Sequence, residues 1–250
     1  IALIDVHTDK RWTYAQLEEE IINWVSYLVV KDCRRGDRVV VLANNRKELF
    51  AIMFACGLLG AIYVPINWRL SPMEWESLIK DCDAKLLIYE KSFHEQVERF
   101  TFLELIPLED AKPNVLFQVP FKEIENKEPW LMIYTGGTTG KPKGVVLSHE
   151  AVNANAINTI TSWSIHEEDT TINYMPLFHT GGINALCVPI LMAGGVVVVG
   201  NSFQAEEALR ATNRYRATIS LFVPTMYQAM IETDYFKVSE FESMRVFLSG

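Results

Sequence analysis

The chain has 250 residues, 49% of them hydrophobic, which is enough to bury a sizeable core and too apolar for a disordered or fibrous protein. Its formal net charge is -8, and its lysines and arginines are scattered along the chain. That excludes the basic stripe a nucleic acid or anionic membrane would require, but not an anionic substrate held by local positive charge.

From the start of the chain, Thr13 and Gln16 form a capping-box pattern, and Leu17, Ile21, Trp24 and Leu28 follow at helical spacing, predicting a helix to about Lys31. Gly36 marks a turn before a continuous apolar strand at 38–42. Asn45 with Glu48 starts a second helix, closed by Gly60 before a strand at 61–66. Ser71-Pro72-Met73-Glu74 combines an N-cap, a first-turn proline and a capping glutamate, and a strand at 85–89 follows that helix. Helices alternating with short, β-branched apolar runs predict an α/β protein, with doubly wound, mainly parallel sheets and flanking helices.

Between 90 and 128 no helical period is sustained, which reads as irregular structure or a linker separating halves 1–125 and 126–250. Strands are then expected at 130–134, 145–147, 196–199, 218–223 and 245–248, with a helix from about Ser148. The apolar run 182–200 reaches membrane-spanning length. Pro189 and Gly194-Gly195 divide it into a helix, a turn and a strand, so no transmembrane segment is expected. The segments 57–66 and 191–199 share a helix-glycine-strand pattern, a hint of two similarly wound halves.

Cys33, Cys56, Cys82 and Cys187 show no Cys-x-x-Cys spacing and sit in apolar surroundings, the pattern of reduced buried thiols in a cytoplasmic protein rather than of disulfides or zinc. No charged leader followed by an apolar stretch opens the sequence, so no signal peptide is expected. The chain stops just after a strand, at the edge where doubly wound sheets hold ligands, and is read as a fragment.

Chemistry concentrates in Thr135-Gly136-Gly137-Thr138-Thr139-Gly140-Lys141-Pro142-Lys143-Gly144. Four glycines follow a glycine-free stretch from 61 to 135, directly after a strand and beside two adjacent threonines and two lysines. Bare backbone lets N–H groups approach phosphate oxygens, hydroxyls donate further hydrogen bonds, and ammonium groups offset charge. A glycine-rich hairpin would explain the turns but not Thr138, Thr139 and Lys143 together. A Walker A loop needs glycine where Thr135 stands and Ser or Thr where Pro142 follows Lys141, so ordinary P-loop ATPase chemistry is disfavoured.

The run Tyr134 to Val145 closely resembles the signature loop of the adenylate-forming superfamily of acyl-CoA synthetases, luciferases and nonribosomal adenylation domains. Pro65-Ile66-Asn67-Trp68-Arg69-Leu70, Met175-Pro176-Leu177-Phe178-His179 and Val223-Pro224-Thr225-Met226-Tyr227 resemble further family segments in the expected order, and Ser249-Gly250 resembles the start of the adenine-binding stretch. Gly136 departs from the pattern, since many members carry serine there. The resemblance covers essentially the whole chain and implies an incomplete large N-terminal domain at 1–250 without the small C-terminal domain, inactive by itself.

The implied reaction joins a carboxylic acid to AMP at the expense of ATP, releasing pyrophosphate, and then transfers the acyl group to CoA. ATP, magnesium and CoA are the implied cofactors and co-substrates, and a homodimer is open. The resemblance assigns nucleotide binding to Thr135, Gly136, Gly137, Thr138, Thr139, Gly140, Lys141 and Lys143, with Thr135 beside the metal and Lys143 catalytic. Lys141 varies in the family, and a solvated lysine explains it equally. An isolated histidine is more often structural, but the resemblance places His179 at the acyl and adenylate pocket as a second catalytic residue orienting the acid. Gly181, Gly182, Ile183, Thr225 and Tyr227 are candidate acid-pocket residues, with ordinary core as their alternative.

Phe178-His179-Thr180 offers no carboxylate for a substrate ammonium group, so an uncharged acyl chain is expected. The expectation is a medium- or long-chain fatty acid, with an aryl acid such as a coumarate as main competitor. A catalytically incomplete ATP-binding module is the alternative from another class.

Overall fold

The computed structural model describes residues 1–111, 123–136 and 141–250. In chain order these hold β1 (Leu3–Asp5), β2 (Arg11–Trp12), α1 (Tyr14–Val30), β3 (Arg38–Leu42), α2 (Glu48–Leu59), β4 (Ile62–Pro65), α3 (Pro72–Asp81), β5 (Leu86–Tyr89), α4 (His94–Val97) and β6 (Glu104–Pro107). There follow β7 (Pro129–Thr135), β8 (Lys143–Ser148), α5 (His149–Trp163), β9 (Thr170–Asn173), α6 (Thr180–Ile183), α7 (Cys187–Met192), β10 (Val196–Val199), α8 (Ala205–Arg214), β11 (Ile219–Phe222), α9 (Pro224–Ile231) and β12 (Val246–Ser249).

The chain divides into two compact units. One comprises Ile1–Leu17, Asn45–Lys47 and Ala154–Gly250, the other Glu18–Asn44 and Glu48–Asn153. The expected division at 125/126 does not coincide with them. Leu3 and Ile4 of β1 pair in parallel with Val197 and Val198 of β10, which ties the N-terminal residues to the last third of the chain.

The second unit holds a sheet in the order β6-β5-β3-β4-β7-β8, parallel except for the antiparallel pair β7–β8. Val40, Leu42, Val64, Leu87 and Tyr89 cluster with Trp75, Leu78 and Ile79 of α3, and the alternate residues Val39, Val41 and Leu86 are buried as well. Strands covered on both faces explain the continuous apolar runs. The Ser71 box forms as expected, with reciprocal bonds between Ser71 and Glu74. Gly60 closes α2 at φ +74, a left-handed conformation that other side chains adopt only under strain.

The first unit holds the order β12-β11-β9-β10-β1-β2, again parallel except for β1–β2. Ile4, Ile172, Val198 and Phe222 pack against Ala208, Leu209 and Met230 of α8 and α9. Thr13 and Gln16 exchange the expected capping bonds at 3.1 and 2.9 Å. The apolar run 182–200 resolves into the end of α6, α7 and β10, with Gly194 at φ +89 between α7 and β10. No helix among the described residues is long and apolar enough to cross a membrane.

Several elements were not expected. β1 and β2 are too short to show a period, and β6 is a short edge strand inside a segment read as irregular, whose residues 112–122 lie outside those described. β9 is Thr-Thr-Ile-Asn, and its buried Thr171 and Asn173 break the apolar pattern that marks the other strands.

A buried carboxylate joins three strands of the first unit. The Asp169 side chain is fully buried and accepts from Arg245 Nε (2.9 Å) and Nη2 (2.5 Å), from Thr218 Oγ1 (2.5 Å) and from the His166 backbone N–H (2.9 Å). Burial alone would raise its pKa, but the hydrogen bonds from Arg245, Thr218 and His166 outweigh it and hold the group below the usual range. A carboxylate depressed in the folded state contributes stability above its unfolded pKa of about 3.9 and loses it as the pH falls through the folded value. Arg245→Ala should therefore cost about 3–5 kcal/mol near neutral pH. Urea unfolding should show that gap between wild type and variant shrinking as the pH is lowered below about 4; a gap independent of pH would contradict the ion pair.

Candidate functional site

In the second unit the glycine-rich segment joins the two strands of a hairpin. The register runs Leu131↔Leu147, Met132↔Val146, Ile133↔Val145, Tyr134↔Gly144 and Thr135↔Lys143. Directly opposed residues project from the same face, so the Thr135 hydroxyl and the Lys143 ammonium share one side of the hairpin where the loop departs. Thr135, Gly136, Lys141 and Lys143 are exposed, and among the described residues neither lysine has a carboxylate partner. Gly137, Thr138, Thr139 and Gly140 lie outside the described residues.

The two described glycines of the motif differ in what they do. A Cβ at Gly136 would meet nothing within 4 Å, so the position has room for the serine common in the resembling family. A Cβ at Gly144 would approach the Met132 sulfur to 3.0 Å and the Tyr134 ring to 3.4 Å, so this glycine serves cross-strand packing. Beneath the loop, Tyr134 donates to the Asp81 carboxylate at 2.6 Å. Trp130 donates to the Met53 carbonyl at 2.8 Å and fits where Gly57 leaves room, since a Cβ there would lie 2.7 Å from its Nε1. The loop thus springs from an anchored strand.

β7 runs parallel to β4, with Tyr63 opposite Leu131. The carboxyl ends of the two strands therefore lie at the same edge, from which Asn67-Trp68-Arg69, following β4, and the glycine-rich segment, following β7, both depart. This segment is held by the Trp75 indole N–H donating to the Asn67 carbonyl at 2.9 Å, and Arg69 stacks over Trp68 with 4.7 Å to the ring centroid.

In the first unit β9 leads to β10 on one side, whereas β11 leads to β12 on the other. Diverging connections from adjacent parallel strands open a crevice at their carboxyl ends, the usual ligand position in such sheets. The residues leaving those ends are Met175–His179 after β9 and Val223–Thr225 after β11, two of the segments singled out from sequence.

His179 is exposed and is the N-cap of α6, beyond a turn rather than at a strand end. The Gly181 backbone N–H donates to its Nδ1 at 3.0 Å, which makes Nδ1 an acceptor and assigns the proton of the neutral ring to Nε2. The ring can then offer Nε2–H to a carboxylate. Gly182 is buried, and a Cβ there would fall 2.1 Å from the Pro176 carbonyl oxygen. Ile183 is 2% exposed and belongs to the core. Thr225 is exposed on the first turn of α9.

Tyr227 is held by different partners. Its hydroxyl donates to the Leu248 carbonyl at 2.9 Å, and its ring meets Phe222 edge-on. With Leu209, Met230, Phe236 and Phe241 it lines an apolar cavity of about 340 Å³, whose walls include neither His179, Gly181, Gly182, Ile183 nor Thr225.

Asn45 and Asn173 were missed from sequence. Asn45 reads as part of a helix start, yet its side chain donates to Met175 and accepts from Leu177. No local signal announces bonds between residues 130 and 132 positions apart. Among the described residues no three His, Cys, Asp or Glu side chains gather to hold a metal ion. Magnesium keeps several waters and takes phosphate oxygens, so a site for it need not gather several protein ligands.

Comparison with known proteins agrees with this fold. A family profile described as AMP-binding enzyme matches residues 1–250. Indoleacetate–CoA ligase of Aromatoleum aromaticum is 32% identical over 254 residues, covering 95% of this chain and 50% of that protein. Feruloyl-CoA synthase of Amycolatopsis sp is 29% identical, covering 98% and 50%. The N-terminal domain of FACL13 from Mycobacterium tuberculosis superposes with a TM-score of 0.89 at 26% identity, covering all of this chain and 65% of that one. O-succinylbenzoate coenzyme A synthetase (MenE) from Bacillus subtilis, in complex with AMP, gives 0.88 at 28%, covering 100% and 64%. The chain spans about half the length of the curated relatives it matches. From the loop at the hairpin, the strand connectivity and a profile match along its whole length, the chain belongs to the AMP-binding enzyme family.

Proposed function

We propose that the full-length protein is an ATP-dependent acid–CoA ligase whose acid is aromatic. The observation that carries this reading is the family match over residues 1–250, together with relatives named for indoleacetate and ferulate. It revises the fatty-acid expectation toward the aryl alternative. The residues from Tyr174 to Leu186 include no Asp or Glu, which fits an acid without an ammonium group.

In the first step a carboxylate oxygen attacks the α-phosphorus of ATP, forming the acyl–phosphate bond while the bond to the β-phosphate bridging oxygen breaks and pyrophosphate leaves. In the second, the CoA sulfur attacks the acyl carbonyl, AMP leaves, and the thiol proton passes to solvent. The first step brings two anions together. Backbone N–H groups of the loop, the Thr138 and Thr139 hydroxyls and the Lys143 ammonium would receive the β- and γ-phosphates and stabilise the departing charge. Magnesium, bound with the triphosphate beside Thr135, would neutralise further negative charge. Lys141 stays a solvated cation at the loop mouth. His179 would orient the acid through Nε2–H, its Nδ1 being taken by Gly181.

Hydroxamate trapping by the full-length protein, across aryl, fatty and amino acids, tests the reading. Signal with aryl acids is expected; signal confined to fatty acids would overturn the acid class, and none with any acid would overturn the ligase. Lys143→Ala should lower adenylation about 100-fold for every acid while leaving the ranking of acids unchanged. An undiminished rate would refute the phosphate assignment. Gly136→Ser, placed where a side chain meets no neighbour, should change stability by less than about 0.5 kcal/mol and lower KM for ATP, as thermal unfolding and steady-state kinetics would show.

A further inference from the structure

We infer that Asn45 is a positioning residue for the acid site, holding the Met175–His179 turn in the shape that presents His179. The inference rests on the ligase reading above. Asn45 belongs to the short stretch Asn45–Lys47 that groups with the first unit, and it is 6% exposed. Its Nδ2 donates to the Met175 carbonyl at 2.9 Å, and its Oδ1 accepts from the Leu177 backbone N–H at 2.9 Å. Asn173 adds a second donor to the same Met175 carbonyl at 3.0 Å and is equally buried. Two side-chain amides thus fix the peptide groups on either side of Pro176.

The fixed segment is the one His179 depends on. The Pro176 carbonyl accepts from the His179 backbone N–H at 3.1 Å, and the close approach of Gly182 rests the start of α6 on that same peptide. The His179 carbonyl accepts from the Gly182 N–H at 3.0 Å, and its Nδ1 accepts from the Gly181 N–H at 3.0 Å. A continuous line of hydrogen bonds therefore runs from the Asn45 amide through Pro176 to the imidazole. Other side chains break it. Asp keeps the acceptor for Leu177 but sets an oxygen against the Met175 carbonyl. Leu keeps the volume and leaves the Leu177 N–H without a partner in a buried place. Among the described residues the Asn45 side chain bonds only to Met175 and Leu177, so the nucleotide side of the reaction should not feel either change.

The test uses the full-length protein in acid-dependent pyrophosphate exchange, with KM for the acid and for ATP measured separately on wild type, Asn45→Asp, Asn45→Leu and Asn173→Ala. Both Asn45 variants should raise the acid KM about tenfold and leave the ATP KM within about twofold, and Asn173→Ala should shift the acid KM the same way by less. An unchanged acid KM would overturn the role, as would equal losses for acid and ATP accompanied by a lower unfolding temperature. Should Asn45→Leu fail to fold, Asn45→Asp decides by the same criterion. Absence of exchange by the wild type would refute the ligase reading and this role with it, whereas an active wild type with indifferent variants refutes the positioning role alone.

Discussion

Two adjacent parallel strands, β9 and β11, send their chains in opposite directions, and the ligand-handling end of the first unit follows from that divergence. Parallel crossovers keep one hand, so the path from β9 to β10 and the path from β10 to β11 lie on opposite faces of the sheet. The core cluster agrees: α8 and α9 cover the face that carries Ile172, Val198 and Phe222. At the carboxyl edge the turn to His179 leaves one way and the first turn of α9 the other, the divergence at which such sheets usually hold ligands. A ligand placed there meets loop atoms from two strands whose own positions the sheet fixes.

The second unit repeats this connectivity with a different use of its edge. β3, β4, β5 and β6 succeed one another across their sheet as β9, β10, β11 and β12 do across theirs, and an antiparallel pair from elsewhere in the chain flanks each set, β7–β8 in one and β1–β2 in the other. The crevice between β3 and β5 is closed by the unit's own groups. Glu90 accepts from the Asn44 backbone N–H at 2.9 Å and from its side chain at 3.1 Å. The phosphate site proposed above instead lies at the β7–β8 hairpin. Trp130 and Tyr134 anchor the strand from which the glycine-rich segment departs.

Charge is divided in the same spirit. The buried carboxylate of Asp169 is matched by Arg245 and Thr218 and joins strands at their amino ends. At the glycine loop Lys141 and Lys143 have no carboxylate partner among the described residues, so their charge is uncommitted in a protein of formal net charge -8. A partnered lysine would have to give up its salt bridge to receive phosphate; in the role proposed for Lys143 no such bridge has to break.

What the sequence alone determined is what local spacing and local chemistry control. The apolar strand at 38–42 and the all-valine β10 stand where their runs predict, Ser71 and Thr13 cap their helices, and Gly60 and Gly194 take the positive φ that ends one element before the next. The family was legible from the glycine-threonine-lysine motif because residue types and spacing within one short segment carry that signature. Tertiary structure decided the rest. β9 could not be read because Thr171 and Asn173 are buried polar positions, and β1 declares itself only through pairing with β10. Ile183 and Gly182 are tightly packed, and Tyr227 lines an apolar cavity with Leu209 and Met230, none of which local spacing shows. Asn45 acquired its part at the His179 turn only through bonds spanning about 130 residues. Local spacing carries no trace of such contacts, because they exist only once both segments are folded and water has been excluded between them.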